Sequence, residues 1–133
     1  MIYLDHLTTT PTLPEVVDAM QPWLRGQFGA PASLHKLGLE ARDAIDAARE
    51  RLAKLVNAAE PEEIIFTSSG TEAINHAVKG AALANRRFGS HIVTTGIEHP
   101  AVLGSIAWLE SQGFSSTRVG VDGQGRVDPD ALG

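Results

Sequence analysis

The stretch Ile64-Ile65-Phe66-Thr67-Ser68-Ser69-Gly70-Thr71-Glu72-Ala73-Ile74-Asn75-His76-Ala77-Val78-Lys79-Gly80 decides how this chain is read. Ile64 to Thr67 is a short apolar run, β-branched and aromatic, of the buried-strand type. From Thr71 the apolar residues Ala73, Ile74, Ala77, Val78, Ala81 and Ala82 recur at helical spacing. Between the two, Ser68-Ser69-Gly70-Thr71-Glu72 turns strand into helix. A helix N-terminus presents unpaired N–H groups and the equivalent of roughly half a positive charge. A phosphate fits there without lysine or arginine. Gly70 lets an anion approach the backbone closely, and Ser68, Ser69 and Thr71 offer hydroxyl donors. The turn lies at the carboxyl end of the expected strand, where open α/β sheets bind ligands. Ser69-x-x-Glu72 fits a capping box equally well, and a capping box needs no ligand. Taken alone, the turn leaves both readings open. The dinucleotide and Walker fingerprints are absent.

Downstream the same alternation continues. The helix from Thr71 is expected to run to about Arg87, with Gly89 ending it. His91–Thr95 reads as a second strand, and Pro100–Gln112 as a helix with Leu103, Ile106 and Leu109 inward and Gly113 as its stop. Thr117–Val121 reads as a third strand, followed by an Asp-Gly-containing turn at 122–125. Upstream, residues 2–12 are extended, Glu15–Leu24 is a helix with Pro22 near its end, and Gly26–Ser33 is a loop. Leu39–Asn57 is a long helix in which Ala41, Ile45, Ala48, Leu52 and Leu55 form the apolar stripe. Strands alternating with helices imply parallel pairing and an α/β fold with helices covering the sheet.

Glu98-His99-Pro100 sits between the second strand and its helix, so it is expected on the same sheet edge as Gly70. An imidazole there can stack on a flat ring or move protons near neutral pH, and Pro100 fixes the backbone beside it. The remaining histidines carry weaker signals: His6 and His35 lie in loops, His76 on a helix flank, and His91 opens a strand. No pair has metal-ligand spacing, so no metal site is expected. Lys79 reads as solvated.

Bulk properties narrow the function classes. The chain has 133 residues, enough for one domain with a core, and a net charge of −5 with no basic cluster longer than Arg86-Arg87, which argues against nucleic acid as a partner. There is no cysteine, hence no disulfide, thiolate metal site or cysteine nucleophile. No apolar window approaches the roughly 18 residues of a membrane span, and the first residues lack the pattern of a signal peptide, so a cytoplasmic location is expected. At the other end, Asp128 and Pro129 read as the start of a helix, and a piece of a longer protein is expected.

Four segments then fall into a recognisable order: Tyr3-Leu4-Asp5-His6-Leu7-Thr8-Thr9-Thr10-Pro11, Gly29-Ala30-Pro31-Ala32-Ser33-Leu34-His35, Glu63 to Asn75, and Glu98-His99-Pro100-Ala101-Val102. Together they resemble the amino-terminal third of cysteine desulfurases, within the class V aminotransferase-like family of pyridoxal-phosphate enzymes. The resemblance implies part of a fold-type I large domain, incomplete in this chain. Residues of about 1–38 would form an amino-terminal arm, helix and substrate-side loop, and about 39–133 the start of the cofactor-binding domain. It further implies that Gly70 and Thr71 hold the phosphate of pyridoxal 5'-phosphate. His99 would stack on the pyridine ring and take part in catalysis, while Asp5–Pro11 and 29–35 would border the substrate pocket. The implied reaction removes sulfur from L-cysteine, leaving alanine and an enzyme persulfide for sulfur transfer or iron–sulfur cluster assembly, in a homodimer that hands sulfur to an acceptor protein.

His6, Thr8 and Ala30 depart from the family's usual residues, all on the segments implied to face substrate. The family's Schiff-base lysine, its aspartate for the pyridine nitrogen and its persulfide cysteine all belong to later sequence. Lys36, Lys54 and Lys79 do not stand in a matching segment. A cofactor of this kind needs a lysine and a partner for its ring nitrogen, so this chain alone is expected to be inactive without the remaining part of the enzyme, in cis or as a second chain. Two other readings fit the same residues. One is a related lyase or aminotransferase, and the other is a degenerate, non-catalytic paralogue acting as a binding module.

Overall fold

A computed structural model describes residues 2–132. They fall into two compact units, one running to Ile65 and the other starting at Phe66.

In the first unit, residues 2–13 form no helix or strand. Helix α1 spans Pro14–Arg25. Pro14 opens it because a first-turn N–H has no intrahelical partner to lose, and Glu15 and Arg25 sit at the dipole ends that favour their charges. Pro22 falls near the end, and its carbonyl accepts from the amides of Gly26 (3.0 Å) and Gln27 (2.9 Å) to close the last turn. Helix α2 spans Lys36–Val56, starting earlier than the apolar stripe indicates. His35 is its N-cap, its Nδ1 accepting from the Gly38 amide at 3.3 Å. Asn57 closes it in the left-handed conformation, φ 56°. Gly38, Ala41 and Ala53 are its buried residues. A side chain at Gly29 would strike the Leu37 carbonyl, and one at Gly38 the Ser33 carbonyl, so the 29–33 loop lies backbone against backbone on the start of α2. A 3-10 turn, Pro61–Glu63, follows.

The second unit is a β-α-β unit with one helix before it. Helix α3 spans Gly70–Ala84, strand β1 His91–Thr95, helix α4 Pro100–Ser111 and strand β2 Ser115–Val119. The strands pair in parallel, His91 opposite Ser115 through Thr95 opposite Val119, and α4 is the connection that parallel pairing requires. Helix α3 packs along α4, and α4 against β2. The core is Ile106 and Leu109, which are 2% and 0% exposed, with Phe114 and Val119. Buried Ser105 is satisfied by donating to the Ala101 carbonyl at 2.7 Å. At the flank, the Lys79 ammonium lies 4.8 Å from the centre of the Trp108 ring. The expected solvated lysine therefore covers an aromatic ring at the α3–α4 contact.

Parallel pairing and the covering helices agree with the sequence reading, and several element assignments differ. Ile64–Thr67 is not a strand. Ile64 has extended dihedrals, φ −88° and ψ 113°, and its carbonyl accepts from the Arg49 side chain at 3.2 Å, but the segment is not part of the β1–β2 sheet, and extended backbone becomes a strand only through a neighbouring strand's N–H and C=O groups. Helix α3 ends at Ala84 rather than Arg87, because the Asn85 side chain donates to the Ala81 carbonyl at 2.9 Å and closes the last turn. The last strand is Ser115–Val119 rather than Thr117–Val121. Val121 instead bridges Val127 antiparallel around a turn in which the Asp122 carboxylate accepts from the amides of Gln124 (2.8 Å) and Arg126 (3.0 Å). The expected helix start at Pro129 is a 3-10 turn, Pro129–Leu132. No helix among the described residues is long and apolar enough to cross a membrane.

Candidate functional site

Two helix starts in the second unit carry the residues singled out from sequence. At the first, Ser69 is the N-cap of α3, in extended conformation, and its Oγ accepts from the Glu72 amide at 3.2 Å. The Glu72 carboxylate reaches back one residue further than a capping box predicts: its Oε2 accepts from both the amide and the hydroxyl of Ser68, each at 2.6 Å. These bonds, the hydroxyl first, hold the Glu72 carboxyl below its ordinary value of 4.5. The capping reading is therefore realised, with Ser68 as the residue reached.

What the cap leaves over defines the candidate site. The Ser68 and Ser69 hydroxyls are engaged with Glu72, and the Thr67 hydroxyl donates to the Ser69 carbonyl at 3.1 Å. The Thr71 hydroxyl has no partner among the described residues, and neither do the Gly70 and Thr71 amides, which belong to the unpaired first turn. A Cβ built at Gly70 meets nothing within 4 Å, so the space beside these donors is open. Two amides and one hydroxyl at a helix N-terminus make a donor set suited to a phosphate.

At the second start, His99 is the N-cap of α4. Its Nδ1 accepts from the Ala101 amide at 3.1 Å, which assigns the ring proton of the neutral form to Nε2. Nε2 is the nitrogen left to face a ligand. Just before it, the Thr95 hydroxyl at the end of β1 donates to Glu98 Oε1 at 2.8 Å and ties the loop to the strand. Helices α3 and α4 pack together, but no hydrogen bond joins His99 to Gly70 or Thr71. The shared sheet edge expected for them rested on a strand at Ile64–Thr67 and is not formed here.

Elsewhere, His6 lies edge-on to Tyr3 with ring centres 4.9 Å apart. The pairing that sequence reasoning missed is His91, whose Nδ1 and Nε2 lie 2.8 and 2.9 Å from the Ser115 and Thr117 hydroxyls on β2. The register of β1 against β2 produces it, and alternation with the correct strand boundary would have revealed it. Among the described residues no group of carboxylates and histidines could hold a metal ion.

The class-V aminotransferase family matches residues 2–133. The chain is 50% identical to a cysteine desulfurase IscS of Dictyoglomus turgidum over 131 residues, which is 98% of this chain and 33% of the relative. It is 49% identical to a cysteine desulfurase IscS of Methanosarcina thermophila, over 98% of this chain and 32% of that one. Among solved structures, a NifS-like protein superposes with a TM-score of 0.83 at 38% identity, covering 94% of this chain and 34% of the other. A structure of SspA in complex with cysteine gives 0.84 at 34% identity, covering 98% and 37%. The chain thus spans about a third of the length of these relatives. On the family's match across nearly its whole length, this chain belongs to the class-V aminotransferases.

Proposed function

We propose that this chain is the phosphate-gripping amino-terminal portion of a pyridoxal-phosphate-dependent cysteine desulfurase. The observation that carries the reading is the match, at about half identity along nearly the whole chain, to relatives named cysteine desulfurase. The similarity to SspA, whose structure is of a complex with cysteine, adds support for the amino acid as substrate. The donor set fits the cofactor: Gly70 N–H, Thr71 N–H and the Thr71 hydroxyl take its phosphate, while the Ser69–Glu72 cap keeps the turn in shape.

Pyridoxal phosphate supplies an electron sink for the α-carbon of a bound amino acid. The chain's own part is binding and positioning. Gly70 and Thr71 anchor the phosphate on the α3 dipole. His99 presents a ring whose orientation is fixed through Nδ1, so that Nε2–H can face the cofactor and hold or pass a proton. The first unit contributes Asp5–Pro11 and 29–35 to the substrate side. The lysine that carries the cofactor and the cysteine that accepts sulfur come from the two thirds of the enzyme that this chain does not span, in cis or in a second polypeptide. The whole enzyme works as a homodimer in the cytoplasm, releases alanine and passes persulfide sulfur to an acceptor protein for sulfur transfer or iron–sulfur cluster assembly.

The test is cofactor binding by this chain combined with the remaining two thirds of the Dictyoglomus turgidum relative. Pyridoxal phosphate should bind with a shifted visible absorbance, and pyridoxal lacking the phosphate at least tenfold more weakly. Equal affinity for the two would contradict a phosphate grip at Gly70 and Thr71.

A further inference from the structure

Three residues, Gly96, Ile97 and Glu98, carry the chain from β1 to the N-cap of α4, and all three are exposed. Ile97 reaches toward the turn after β2, its Cδ1 3.6 Å from where a Cβ at Gly125 would stand, yet it stays 62% exposed. Packing therefore does little to fix this loop. The side-chain bond that crosses it runs from the Thr95 hydroxyl to Glu98 Oε1 at 2.8 Å. Its two ends differ in what they are attached to. Thr95 is the last residue of β1 and stands opposite the buried Val119, so the donor belongs to the sheet. Glu98 directly precedes His99, whose Nδ1 accepts from the Ala101 amide at 3.1 Å. A carboxylate just before α4 is also favoured by the positive end of that helix.

We propose that Glu98 is a positioning residue for His99, a clamp that takes the end of β1 as its reference. The proposal rests on the reading under Proposed function, in which the His99 ring faces the cofactor. The cap through Nδ1 fixes the ring relative to α4. The Thr95–Glu98 bond fixes the backbone entering α4 relative to the sheet. With both in place the ring cannot swing together with its loop, and Nε2–H keeps one position. Such placement matters, because an error of about 1 Å can lower a rate by roughly a hundredfold. The clamp needs an acceptor rather than a charge, since a glutamine offers the same Oε1 to the Thr95 hydroxyl. That requirement distinguishes it from an electrostatic role, in which the carboxylate would act on the imidazole through its charge.

Nitrogen NMR of the His99 ring in the 133-residue chain, without cofactor, is the first test. Wild type should show the separate Nδ1 and Nε2 resonances of the Nε2–H tautomer. Thr95→Val and Glu98→Ala should move both resonances toward their average, and Glu98→Gln should restore the wild-type pattern. Thr95→Val keeps a β-branched residue in β1, so its circular dichroism should match wild type. The second test measures kcat and KM for L-cysteine with each variant combined with the remaining two thirds of the Dictyoglomus turgidum relative. Thr95→Val and Glu98→Ala should lower kcat about tenfold while KM stays within about twofold, and Glu98→Gln should recover most of the loss. A merely structural role would lower the thermal midpoint of the variants and leave the His99 resonances and kcat unchanged, which overturns the proposal. Failure of Glu98→Gln to restore either readout assigns Glu98 a role through its charge and overturns the clamp. Cofactor absorbance separates the two readings: a wild-type combination without shifted absorbance overturns the proposed function, while the ring resonances of the free chain decide the clamp in either case.

Discussion

Thr71, Ser68 and Glu72 sit within one turn and do different work. Glu72 holds the loop by accepting from Ser68, which leaves Thr71 as the hydroxyl open to a ligand. Thr71→Ala should therefore weaken pyridoxal phosphate binding in the assembled protein about tenfold, roughly 1.4 kcal/mol, with little change in helix content; an unchanged dissociation constant would place the phosphate elsewhere. Gly70→Val tests the approach of the ligand, because the free turn has room for a side chain. Binding should fall while the thermal midpoint of the free chain stays close to wild type. The Glu72 carboxyl titrates lower when folded, so its bonds to Ser68 stabilise the turn at neutral pH and above its ordinary 4.5, and are lost as pH falls through the lower folded value. NMR titration should show the Ser68 amide losing protection only in that acid window, and Glu72→Gln should remove the pH dependence. At His99, asparagine can replace the Nδ1 cap but not the ring. His99→Asn should keep α4 and lose cofactor-stage function, whereas His99→Ala should also cost α4 about 1 kcal/mol.

At the scale of elements, α4 is the member that holds the second unit together. It connects the parallel strands, packs on α3 and buries Ile106 and Leu109. Leu109→Ala should destabilise that unit by about 2–5 kcal/mol in urea melts, far more than Leu55→Ala on the exposed side of α2. This helix and β1 were legible in the sequence because their signals are local: Pro100 at the first position, Gly113 at φ 89° as the stop, and a β-branched run from Ile92 to Thr95. The end of β2 and the state of Ile64–Thr67 were not, because strand limits depend on which neighbour pairs. Ser115 joins the ladder through His91, at a position whose own residue type gives little strand signal. Ile64–Thr67 has the composition of a buried strand, yet Ile65 is 59% exposed with no strand beside it among the described residues. The Ser-Ser-Gly-Thr turn and the His99 position were legible as helix starts. The division of hydrogen bonds among Ser68, Ser69, Thr71 and Glu72 depends on side-chain geometry that spacing does not encode.

Across the whole molecule, many large apolar side chains of the described residues lie at the surface. Large hydrophobic residues on α1, at Ile65 and Phe66 and at Phe88 remain exposed, while the buried set is small. The relatives that the chain matches are about three times as long. On the proposed reading chemistry belongs to the complete enzyme: this chain would supply the phosphate grip and the capped imidazole of His99, and it has no cysteine to receive sulfur. The most direct test of that claim is alanine release from L-cysteine in the presence of pyridoxal phosphate. It is measured for this chain, for the remaining two thirds of the Dictyoglomus turgidum relative, and for the two combined. The account predicts alanine only from the combination, reduced at least tenfold by Thr71→Ala; turnover by this chain alone, or a combination that binds the cofactor yet releases no alanine, would contradict it.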